Sequence, residues 1–196
     1  MFASKQTIIA LTVSLCVGIV PTIATAHTSV AKGSNFLLVS ESSESVPVTQ
    51  AKVLAASNHI QEAKVSNNTL TFRTHAVRIV VQSGPSNDML SYRIGALRNP
   101  TLIVPRGASL NVLFVNADDD MYHNMRFGPW LATYGSDNAH LEAASVGSPA
   151  LPHKTEQLLH AERFTLRVPT MPGKYAYFCT VRGHAPGGMR GTVIVK

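Results

Sequence analysis

Three residue types that bind soft metal ions stand close together near the end of the chain. In the stretch YAYFCTVRGHAPGGMRGTVIVK, Cys179 is followed by His184 and then by Met189, in the pattern C-x4-H-x4-M. A thiolate, an imidazole and a thioether form a soft-to-borderline donor set. Singly, each has a plainer reading: a methionine before a strand is core filler, and a histidine in a glycine-rich loop is a solvated side chain. The joint spacing is more specific than any member of it. The chemistry it points to is metal coordination. No serine–histidine–acid or paired-carboxylate constellation stands out elsewhere.

Two strands must position this set. KYAYFC reads as a strand ending at Cys179, and GTVIVK as one beginning just after Met189. The residues between form one loop, which brings all three donors to one end of the fold. Gly183, Gly187 and Gly188 permit tight turns there, and Pro186 stiffens the backbone. A second histidine would complete the combination of two histidines, one cysteine and a weak axial methionine, which makes a blue-copper electron-transfer site. Zinc is the main competitor, but it seldom takes a thioether and prefers more thiolates or a water position. Beyond the cleavage site inferred below, the candidates are His27, His59, His75, His123, His140, His153 and His160. His123 is best placed, because it follows the strand SLNVLFVNA after the turn DDDMY and precedes NMRFG. His140, His153 and His160 lie in an irregular connection and read as solvated. His75 lies in an early strand and reads as a paired or surface residue. His27, as a new amino terminus, could chelate copper through its amine and ring.

The rest of the chain reads as all-β. TLTFRTH, AVRIVVQ, SYRIGAL, TLIVP, SLNVLFVNA and FTLRVP are short and rich in Val, Ile, Thr, Tyr and Phe. Turn signals at Gly84-Pro85, Asn99-Pro100, Pro105-Arg106-Gly107 and Pro172-Gly173 separate the strands. Such spacing indicates a sandwich or barrel. Ahead of these runs, His27–Pro47 is rich in serine and small residues and reads as a flexible arm, with a short strand at Phe36–Val39. Val48–Val65 carries an apolar spacing and alanines that favour a short amphipathic helix. Gly135–His160 reads as a long connection between strands.

Residues 1–26 look like an export signal: Lys5, the apolar run Ile8–Val20 and then Ala24-Thr25-Ala26 as a cleavage site. An uncleaved anchor is the alternative, although the run is short of the roughly 20 residues a spanning helix needs. Leu15 before Cys16 argues against lipidation. Cleavage leaves Cys179 without an intramolecular partner: a buried thiol, an intermolecular link or a metal ligand. The formal net charge is +6, from 17 basic and 11 acidic side chains. No basic run, aromatic-interleaved stripe or zinc-finger spacing accompanies it, which argues against nucleic acid. With few carboxylates to lose salt bridges, acid unfolding has fewer handles.

NPTLIVPRGASLNVLFVNADDDMYHNMRF and PGKYAYFCTVRGHAPGGMRGTVIVK resemble the cupredoxins, the type 1 blue copper proteins, and within them the rusticyanin group. The resemblance runs from about Val48 to Lys196. It implies a Greek-key β-sandwich, here with an N-terminal extension containing a short helix. It also implies one copper held by His123, Cys179, His184 and Met189. Asn124 stands where the rusticyanin group carries serine. In other cupredoxins an asparagine there ties the two ligand loops together and donates toward the cysteine sulfur.

The resemblance further implies a monomeric periplasmic electron carrier rather than an enzyme, working between c-type cytochromes and a cytochrome c oxidase. His123 should be the more buried imidazole. His184 should expose a ring edge within a flat patch of Pro186, Gly187 and Gly188, with Arg182 and Arg190 favouring an acidic partner rim. Phe178 and Thr180 flank the cysteine where copper oxidases and nitrite reductases place histidines. A copper carrier or accessory protein of the oxidase is the alternative, which Met121, Met125 and Met189 support weakly.

Overall fold

The structure is a computed structural model and describes residues 29–30, 36–47, 49, 63–136 and 139–196. The strands, in chain order, are β1 (Ser29–Val30), β2 (Leu37–Pro47), β3 (Ala63–Ser66), β4 (Thr69–Phe72), β5 (Ala76–Ser83), β6 (Tyr92–Ile94), β7 (Leu97–Arg98), β8 (Thr101–Val104), β9 (Ser109–Asn116), β10 (Arg126–Pro129), β11 (Val146–Gly147), β12 (Leu158–Arg167), β13 (Gly173–Phe178) and β14 (Arg190–Val195). A short helix, α1 (Ala139–Ala143), lies between β10 and β11.

Two seven-stranded sheets result. One runs β1-β2-β12-β9-β5-β6-β7 and the other β11-β10-β13-β14-β8-β4-β3. Both are mixed: β5 is parallel to β9, and β8 is parallel to both β4 and β14. In β5, Val77, Ile79 and Val81 alternate inward while Ala76 and Arg78 face out, the pattern of a strand with one face on a core. β9 departs from alternation. Leu110, Val112 and Phe114 join the main core between the sheets, while Leu113 and Val115 pack with Leu159 and Ala161 in a second cluster. It is thus a central strand covered on both faces. β13 likewise gives Tyr177 to the main core. Its Ala176 and Phe178 go to a third cluster with Tyr134 and Leu141 from the β10–β11 excursion.

The N-terminal region differs from its sequence reading. Leu37–Val39 are extended as expected, but Ser40–Pro47 is not an arm: strand β2 runs on through it, paired with β12. The backbone ladder does not depend on side-chain polarity, so a serine-rich run can form it. The sandwich therefore begins before Val48. Of the expected helix, Thr49 is helical and Ala63–Val65 are extended, and the remaining residues lie outside those described. The expected export signal, His27 and His59 also lie outside the described residues. Among the described residues no helix is long and apolar enough to cross a membrane.

Candidate metal centre

The first histidine is set by a tightly wired turn after β9. Asn116, fully buried at the strand end, turns its side-chain amide toward the carbonyls of Met121, Leu151 and Pro152, at 2.9–3.0 Å. Its carbonyl oxygen accepts from Ser83 Oγ and from the Asp118 amide. Asp118 Oδ1 then accepts the amides of Asp120 and Met121, which winds the turn. His123 follows and exchanges two backbone hydrogen bonds with Leu151. Its Nε2 meets Asp118 Oδ2 at 3.1 Å, with both side chains fully buried. A carboxylate on one ring nitrogen fixes the orientation of an imidazole and leaves the other nitrogen for a metal.

The free nitrogen faces the second segment. His123 Nδ1 lies 3.1 Å from His184 Nδ1, which lies 3.5 Å from Cys179 Sγ. One donor atom from each of the three residues falls within 4.8 Å of the others, and all three residues are buried. Cys179 and Met189 stand opposite each other where β13 and β14 separate: the Cys179 amide donates to the Met189 carbonyl, and the Met189 amide to that of His184. Met189 is fully buried in the main core. Between them the chain makes successive tight turns, with Gly183 at φ 85° and Gly188 at φ 116°, where glycine alone is unstrained. Arg190 closes the loop from below, donating to the carbonyls of Ala185 and Pro186 and stacking over Tyr134.

Asn124 joins the two segments. Its Nδ2 donates to Thr180 Oγ1 at 2.7 Å, and its Oδ1 accepts the Thr180 amide at 2.8 Å. That is the tie between ligand loops which the resemblance implies for an asparagine here.

Electrostatics keep the donors available. Burial lowers the His123 imidazole against the opposing pull of Asp118. Burial and the neighbouring His123 hold His184 at about 4. Both shifts favour the neutral ring, whose lone pair a metal needs. Burial works to raise the Asp118 carboxyl, but the Asp120 amide and His123 outweigh it and hold the group at about 2. Burial pushes the Cys179 thiol up to about 11, partly opposed by the amides of Asn124 and Val181. A metal ion must therefore displace the thiol proton, which makes binding tighter as pH rises.

Two ligands on one ion, with bonds of ~2.0 Å to nitrogen and ~2.3 Å to sulfur, sit roughly 3–3.7 Å apart. The separations of 3.1 and 3.5 Å fit that requirement. His75 is exposed between β4 and β5, His140 is exposed on α1, and His153 packs edge-on against Tyr122. Leu151, Tyr92 and Asn99 escaped the sequence reading, since each acts through contacts between residues far apart in the chain. In the sequence Asp118 stands only as the first residue of the turn DDDMY. Its spacing five residues before His123, across a turn, was the available signal.

Residues 59–196 match the family described as copper binding proteins, plastocyanin/azurin family. Rusticyanin of Acidithiobacillus ferrooxidans is 33% identical over 137 residues, covering 68% of this chain and 84% of that protein. Rusticyanin of Acidithiobacillus ferridurans is 31% identical over 137 residues, covering 68% and 70%. The 1.27 Å structure of rusticyanin from Thiobacillus ferrooxidans superposes with a TM-score of 0.64 at 25% identity, covering 79% of this chain and 97% of the other. The chain belongs to the plastocyanin/azurin family of copper binding proteins and is a blue copper electron-transfer protein similar to the rusticyanins.

Proposed function

We propose that His123, Cys179, His184 and Met189 ligate one copper ion per chain. The protein then carries single electrons in the periplasm between redox proteins such as a c-type cytochrome and a terminal oxidase. The observation that carries this reading is the buried convergence of His123, Cys179 and His184 donor atoms within 4.8 Å. Copper supplies a one-electron couple between its +1 and +2 states. The chain's own residues do the rest. Asp118 holds the His123 ring and Leu151 its backbone, Asn124 locks the two segments, and the tight loop fixes His184 relative to Cys179. A framework that rigid suits a relay, because little has to move when charge changes.

His184 is 8% exposed and His123 not at all, so the His184 ring edge is the way in and out. Pro186 and Gly187 are exposed beside it and offer a small uncharged contact, of the size brief redox encounters use. Arg182, also exposed, would favour an acidic partner rim. Burial of the donors supports an electron carrier over a copper carrier, which must release its metal, and over a catalyst, which must admit a substrate.

Visible absorption and EPR of the copper-loaded protein, with a redox titration at acidic pH, test this. The intact chain should show an intense thiolate-to-Cu(II) band that Cys179→Ser abolishes. A colourless Cu(II) protein, or unchanged colour in Cys179→Ser, would overturn it.

A further inference from the structure

A third element reaches the centre, and it carries none of the four donors. The β6–β7 hairpin begins at Tyr92, which is fully buried. Its hydroxyl donates to the Asn124 carbonyl at 2.5 Å. Asn124 is the residue whose side chain clamps Thr180 and whose amide faces the Cys179 sulfur. Asn99, just past the hairpin, fixes Tyr92 in turn. Its Oδ1 accepts the Tyr92 amide at 2.8 Å, and its own amide donates to the Tyr92 carbonyl at 2.9 Å. Asn99 Nδ2 then donates to the Gly188 carbonyl, the peptide that precedes Met189. Asn99 holds this post at φ 45°, a left-handed conformation that asparagine tolerates. Outside the centre, Asp88 pairs with Arg93 and Arg98 and ties the hairpin to the loop before it.

We propose that Tyr92 is a positioning residue that tunes the reduction potential of the copper site. Its hydroxyl pins Asn124, the residue that ties the two ligand segments and turns its amide toward the Cys179 sulfur, while Asn99 holds Tyr92 in register with the Gly188–Met189 peptide. The inference rests on the ligand assignment proposed above. Donors aimed at the sulfur reduce its charge donation to copper, disfavour the oxidised state and raise the potential.

Tyr177 provides the control. It is equally buried, packs 5.4 Å from Tyr92, and gives its hydroxyl to the Pro100 carbonyl rather than to the ligand shell. Tyr92→Phe and Tyr177→Phe should lose comparable stability in thermal denaturation and keep their copper. Only Tyr92→Phe should lower the potential and shift the thiolate-to-Cu(II) band. Placing 3-fluorotyrosine at position 92 alone keeps the shape and strengthens the donor, so the potential should rise; this variant serves even where Tyr92→Phe does not fold. Equal potentials in both phenylalanine variants, or no rise with 3-fluorotyrosine, would overturn the proposal. If the unmodified copper-loaded protein shows no thiolate band, it is the ligand assignment that fails, and that result is read before any variant is made.

Discussion

The two segments that build the metal centre are immobilised by opposite means. Asn116–Met125 contains no glycine and is held by side chains: Asn116, Asp118 and Asn124 satisfy backbone groups within the turn and across to Leu151, Pro152 and Thr180. Cys179–Met189 is held mainly by its own backbone. His184, Gly187, Gly188 and Met189 each donate an amide to a carbonyl three to five residues back, and Gly183 and Gly188 take the left-handed turns this needs. Buried polar side chains fix a position strongly but leave costly orphans when removed. A glycine turn loses little when one residue changes, because its hydrogen bonds are backbone bonds. Two rigid halves are thus obtained with very different tolerance to substitution.

That contrast can be broken at several points. The largest effect is expected from Asp118→Ala, which strips the acceptor from His123 Nε2 and from two amides in a buried place. It should cost about 3 kcal/mol of stability. It should also weaken copper binding roughly 10–100-fold, as loss of a group orienting a ligand does. Denaturant titration and competition with a chelator measure both, and a copper affinity equal to that of the parent would deny the carboxylate its orienting role.

Asn124→Ala comes next. It leaves the buried Thr180 amide without its acceptor and should cost about 2 kcal/mol. Its spectrum should broaden as the two segments lose register, and an unaltered spectrum with unaltered stability would show that the tie is dispensable.

In the second segment Gly183→Ala should cost only about 1 kcal/mol. A Cβ there meets nothing within 4 Å, so backbone strain at positive φ is the whole effect. Copper colour should survive. A loss as large as that of Asp118→Ala would erase the distinction between the segments.

The smallest effect concerns the hairpin between them. The Arg98 guanidinium foremost, with Ser91 and Arg93, holds the Asp88 carboxyl below its usual range. A carboxylate with a depressed folded value contributes stability that is complete above the unfolded value, ~3.9, and disappears as pH falls through the folded one. Because the pairs are partly exposed, the contribution is below about 1 kcal/mol. Hydrogen-exchange protection in β6–β7, corrected for the intrinsic pH dependence of amide exchange, should therefore fall below about pH 4 in the parent and not in Asp88→Asn. Identical pH profiles would remove Asp88 from the account.

Much of the site was legible because its chemistry is local in sequence. Cys179, His184 and Met189 occupy one loop between two strands that pair in the structure as their β-rich sequences require. His123 could be singled out because a strand end supplies a rigid support. The network behind these residues was not legible. Tyr92 and Asn99 at one hairpin and Leu151 on a distant loop reach the centre from two separate parts of the chain, and nothing in their neighbours marks them as part of a site. The error at Ser40–Pro47 has a related cause: a serine-rich run has little β propensity, and its extended form comes from pairing with β12, which lies more than 100 residues away.

The sequence by itself determined the donor atoms, the turns that separate them and the alternation that builds the sheets, because these depend on residue type and on spacing within a few residues. Only the tertiary structure decided which histidine meets the sulfur, how dry the meeting place is and which hydrogen bonds steady it. Those properties arise from the packing of one sheet on the other, and burial, unlike residue type, exists only once distant strands have closed over the site.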